Sequence, residues 1–146
     1  MKELDDLLAC YQQYLEFTKK LKEKASPTGG LLGFGSGPED DPGHEAFYDR
    51  VGELVQAFLA ADPTPAEVNE AATLILCSAA EHEEDKLAFW FLFAGQGHAR
   101  DLIPLLSRED CVHLRDYYDA HYPKSSRMPV QKEVYKLLKQ HASGKI

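Results

Sequence analysis

Asp110, His113 and Asp116 recur at i, i+3 and i+6, which places three metal-competent side chains on one face of a helix. A helical bundle can build a metal centre from such groups on facing helices. The carboxylate di-iron pattern needs Glu-x-x-His from two helices and a Glu from two more. This chain offers only Asp110-Cys-Val-His113, with no second copy. The trio is thus the metal set of an alternative reading, a metal-dependent helical enzyme helped by the acids around His82. An exposed polar helix face explains the same spacing more simply.

Other candidates are weaker. Glu81-His82-Glu83-Glu84-Asp85 is rich in ligand types, but adjacent helical residues point apart, and the cluster reads as a solvated turn. His44-Glu45 could open an HExxH helix, yet Tyr48 stands where the second histidine belongs. It reads as a charged first turn. Cys111 lies two residues before His113, but catalytic pairs meet in space rather than as sequence neighbours, and no Gly-x-Ser-x-Gly occurs. No catalytic residue is assigned and no cofactor is expected.

Two segments have the chemistry of partner contacts. Tyr117, Tyr118, His121 and Tyr122 lie just before Lys124, Arg127 and Lys132. Aromatics interleaved with bases stack on nucleotides or anchor a protein, while Tyr118 and Tyr122 at i, i+4 also suit packing against a core. The second segment, residues 27–38, holds five glycines and three apolar residues, Leu31, Leu32 and Phe34. No lysine follows the glycines as a phosphate loop requires, and the acids Glu39, Asp40 and Asp41 would repel phosphate. Residues 27–41 read as a flexible connection whose apolar residues fold back or dock on a neighbour. Tyr117, His121, Tyr122, Arg127 and Lys132, with Leu31, Leu32 and Phe34, form the candidate partner set.

The elements that must position these groups are all helical. Leu4, Leu7, Leu8, Tyr11, Leu15, Thr18 and Leu21 predict a first helix ending by Ser26-Pro27. A second helix spans about 43–61, with Asp41-Pro42 before it and Asp62-Pro63 after it. Thr64-Pro-Ala-Glu67 is a capping box for a third helix, to about 82. A fourth spans 84–94 and contains the uncharged run Leu87-Ala-Phe-Trp-Phe-Leu-Phe-Ala94. With no polar face, it is expected to be buried on all sides as the central helix, Trp90 included. A short helix from His98 to Leu106 bends at Pro104. Ser107 caps a fifth long helix, and another starts near Pro129, turning Val130, Val134, Leu137, Leu138 and His141 inward.

The expectation is an all-α single domain over residues 1–146, about six helices around a buried central helix. Thr64 and Ser107 lie 43 positions apart, within the range of HEAT-type repeats, so stacked helix pairs are a minority alternative.

Composition narrows function by exclusion. The acidic N-terminus is unlike a secretion signal, no apolar run is long enough to span a membrane, and Cys10, Cys77 and Cys111 suit free thiols in a reducing cytoplasm. The net charge of −8 is uneven. Residues 38–85 carry 13 acids and one base, and residues 123–146 carry six bases and one acid. Overall acidity argues against nonspecific duplex binding, so nucleic-acid recognition by the basic C-terminal region is the weakest reading. The favoured one is a noncatalytic cytoplasmic helical module that binds a protein partner or itself.

Overall fold

The computed structural model describes residues 1–24 and 37–144, and every regular element in that range is helical. The helices are α1 (Lys2–Lys24), α2 (Gly43–Ala60), α3 (Pro65–Glu81), α4 (Lys86–Ala94), α5 (Arg108–His121) and α6 (Pro129–Ala142). Short 3-10 turns occupy Pro38–Asp40, Gly95–Ala99, Ile103–Leu105 and Lys124–Ser126. No strand occurs among the described residues. The short helix expected after His98 is therefore two 3-10 turns. Gly95 and Gly97 weaken α-helical continuation at the first, and Pro104 lacks the N–H that a longer helix needs.

Local chemistry sets most of the boundaries. Thr64 Oγ1 accepts from the Glu67 N–H at 3.2 Å, and Glu67 Oε1 accepts from the Thr64 N–H at 2.9 Å, closing the capping box of α3. Ser107 Oγ accepts from the Asp110 N–H at 3.1 Å to start α5. Asp85 accepts from the Ala88 N–H at 3.3 Å, so α4 opens at Lys86, two residues later than expected. Asp41 Oδ1 accepts from the Gly43 N–H at 2.8 Å ahead of α2. After α2 the chain stops with Asp62 at φ 55, a left-handed position that aspartate tolerates. Arg108, at the start of α5, donates Nε to Ala142 O at 2.9 Å, which satisfies a terminal carbonyl of α6.

Consecutive helices pair: α1 with α2, α3 with α4, and α5 with α6. The pairs opened by Thr64 and Ser107 form, but they are not copies, since α4 has nine residues and α6 fourteen.

The centre of the molecule is α3, and this corrects the expectation placed on 84–94. Helix α3 touches α1, α4, α5 and the Gly95–Ala99 turn. Its buried set includes the unbroken run Ile75, Leu76, Cys77, Ser78 and Ala79. Ala71, Ala72 and Ala79 are fully enclosed, and their small side chains let neighbouring backbones come close. Helix α4 lies at the margin instead. It buries Ala88, Leu92 and Phe93, while Lys86, Trp90 and Ala94 form an outward stripe at i, i+4, i+8. Trp90 is 55% exposed. An uninterrupted apolar run has no period, so it cannot say which face meets the core.

Candidate functional site

The metal trio does not assemble. Asp110 is half-buried, His113 and Asp116 are exposed on α5, and Asp116 accepts from Arg115 at 3.1 Å. Among the described residues, no group of three His, Cys, Asp or Glu side chains could hold an ion. Cys111 is buried with its thiol pushed up to about 11 by burial, then by Asp110, so it is no ready nucleophile.

The candidate partner residues divide. Tyr122 is 2% exposed and Arg127 is 8% exposed, so neither offers a contact surface. Tyr122 Oη donates to Leu76 O at 2.6 Å and accepts from the Ala80 N–H at 3.1 Å, bridging one step of α3. Arg127 donates Nε to Tyr122 O at 2.8 Å and lies 4.3 Å from the Tyr135 ring centroid. Tyr118 Oη donates to Gln96 Oε1, and Gln96 Nε2 donates to Leu76 O at 3.2 Å. Thus part of the aromatic and basic cluster is a buried hydrogen-bonded network that ties α5 to α3. Tyr117 is half-buried, with its ring 4.1 Å from that of exposed His121, and Lys132 is exposed on α6. Leu31, Leu32 and Phe34 lie outside the described residues.

His44 is also a correction. It is 3% exposed rather than part of a charged first turn. Its Nε2 lies 2.9 Å from Pro38 O and its Nδ1 lies 2.9 Å from Tyr14 Oη. A carbonyl only accepts, so Nε2 donates and Nδ1 accepts from Tyr14 in the neutral ring. The imidazole stacks on Phe91 at 3.9 Å and 5°. His44 thereby holds the Pro38–Asp40 turn against α4.

That clamp builds one wall of a groove that sequence reasoning missed. Leu87, Trp90 and Phe91 line it together with Pro38, Glu39, Lys22 and Lys86, around a cavity of about 350 Å³. Lys22 donates to Asp85 at 2.6 Å, fastening the end of α1 to the cap of α4. Burial pushes the Asp85 carboxyl up, but hydrogen bonds from Lys22 and the Ala88 N–H hold it below its ordinary value. The only sequence signal for this groove was Lys86 at i−4 from Trp90, a charged residue on the face that proves exposed.

A second, polar cleft of about 470 Å³ lies between α2 and α6, lined by Gln56, His98, Arg100, Asp101 and Glu133 together with Val55 and Leu137. Burial lowers the His98 pKa, and Arg100 lowers it further, against raising effects from the Tyr48 carbonyl and Asp49. A Cβ at Gly52 would lie 3.2 Å from His98 Cε1, so the absence of a side chain there leaves the ring its place.

No family model, curated protein or solved structure matches this chain. Its own geometry must therefore carry the functional reading. Among the described residues, no helix is long and apolar enough to cross a membrane.

Proposed function

We propose that this chain is a noncatalytic helical interaction module that binds a protein segment in the groove headed by Trp90. One observation carries the reading: the chain's single tryptophan is 55% exposed on a concave apolar surface. Tryptophan is enriched among residues that dominate binding energy, and a pocket beside it lets a partner side chain be desolvated. Covering a further ~100 Å² of indole would contribute roughly 2–3 kcal/mol. The fitting partner presents a large apolar side chain to Leu87, Trp90 and Phe91, with a carboxylate opposite Lys86. Lys86 makes no ion pair among the described residues. A cytoplasmic setting belongs to the same proposal and rests on three scattered, unpaired cysteines.

The test uses the tryptophan as reporter. Partners cross-linked through Lys22 or Lys86 would be identified by mass spectrometry, and the linked peptide titrated against the full chain. A saturable blue shift of Trp90 emission, with capture lost in Trp90→Ala, is the expected result. Equal capture by Trp90→Ala, or a peptide that leaves the emission unmoved, would overturn the reading.

A further inference from the structure

The polar cleft shares no lining residue with the Trp90 groove, and its hydrogen-bonding groups differ in how far they are already committed. Arg100 donates Nη1 to Glu133 at 3.0 Å and Nε to Gly97 O at 3.0 Å. An entering anion would have to compete with Glu133 for this guanidinium while facing the Asp101 carboxylate. Asp101 itself is poorly matched, accepting one long hydrogen bond from Gln56 Nε2 at 3.4 Å. Because Gln56 donates through its nitrogen, its Oε1 remains an acceptor.

His98 stands in the wall of the same cleft. With its pKa lowered by burial, the ring is neutral near pH 7, and a neutral imidazole always keeps one acceptor nitrogen. Its Nε2 is buried without a hydrogen-bond partner. The walls therefore carry two carboxylates against one guanidinium, and acceptors outnumber uncommitted donors. Tyr48, one turn before Gly52 on α2, is 43% exposed, and its ring lies 4.3 Å from that of His98.

We propose that this cleft binds a small organic ammonium compound. Its N–H groups are shared between Asp101 and Gln56, and its alkyl body lies against Leu137. The match is one of counts as well as charge. A primary ammonium brings several donors and no acceptor, which complements a cleft rich in acceptors. Leu137, half-buried in the wall, gives a short hydrocarbon chain an apolar contact that a bare metal ion would not use.

Butylammonium, butanol and butyrate share an alkyl chain and differ at the head. Each would be titrated into the full chain while the His98 ring and Gln56 side-chain amide resonances are followed by NMR. Saturable shifts with butylammonium, with a dissociation constant on the order of millimolar, are expected for so small a ligand. Asp101→Asn should weaken binding roughly tenfold or more, as loss of a charge-assisted hydrogen bond does. Gln56→Leu should weaken it less. Asp101 and Gln56 are both exposed, so these variants should keep the remaining spectrum intact. Butyrate shifting the same resonances as strongly, absence of saturation, or unchanged binding by Asp101→Asn would each overturn the proposal.

Discussion

Trp90 is 55% exposed while Phe58 is fully enclosed, so truncating each should have opposite consequences. Phe58→Ala should cost about 3–5 kcal/mol in urea unfolding, because it opens a cavity among packed neighbours. Trp90→Ala should cost less than about 1 kcal/mol, yet remove partner binding if the groove works as proposed. Unmodified protein should show red-shifted emission that iodide quenches readily. His98 supplies a pH prediction. Its folded pKa lies below the ordinary 6.5, so the folded state binds fewer protons than the unfolded one as pH falls. The stabilisation from keeping the ring neutral is full above 6.5 and is lost as pH falls from there toward the folded value. An NMR titration should place the His98 midpoint below 6.5, and His98→Asn should flatten that part of the stability profile.

At the scale of elements, the caps and the small residues of α3 carry separable contributions. Thr64→Ala removes the acceptor for the Glu67 N–H and should cost about 1 kcal/mol. Asp85 has two roles, cap of α4 and partner of Lys22. Asp85→Asn keeps a capping oxygen and loses the ion pair, so its cost should stay within about 1 kcal/mol. Asp85→Ala should add roughly another 1 kcal/mol for the lost cap. Comparing both by thermal unfolding separates the terms, and equal costs would show that the cap contributes nothing. Ala72→Leu tests the centrality of α3. With no room against its neighbours, the larger side chain should cost about 1–3 kcal/mol. A neutral effect would mean that α3 is not tightly enclosed.

At the scale of the whole molecule, no ion pair among the described residues joins the acidic region to the basic end. Among the described residues, Asp85 pairs with Lys22, Glu53 with Arg50, Arg127 with Asp119 and Glu133 with Arg100. None of these pairs joins residues 38–85 to residues 123–144. Lys132, Lys136 and Lys139 stay exposed along α6. Their charge is available for contacts between molecules, which salt screens more than it screens a packed core. Sedimentation at low and high salt should show any self-association weakening with salt, and Lys132→Glu with Lys136→Glu and Lys139→Glu should abolish the salt dependence. Association indifferent to both would instead point to apolar burial, with the Trp90 groove as the first surface to examine.

The sequence by itself determined the all-helical class and nearly every helix boundary. These follow from local signals: the 3.6-residue period of apolar positions, the Thr64 and Ser107 caps, and the prolines at 63, 65, 123 and 129. It did not determine which helix lies at the centre. The alanines and Cys77 of α3 look unremarkable in sequence, but their small volumes admit neighbours on several sides. The uniform run of α4 suggests a central helix because it lacks polar residues, yet its Trp90 face is more than half exposed. The same gap separates residue type from role at the candidate sites. Tyr122 and Arg127 resemble surface contacts in sequence, and only the fold brings Leu76 O and the Ala80 N–H to the one and the Tyr135 ring to the other. His98, Gln56, Asp101 and Glu133 are spread over three segments, so no spacing rule could join them. Helical period and capping act over a few residues, whereas clefts and burial arise from contacts between residues distant in the chain.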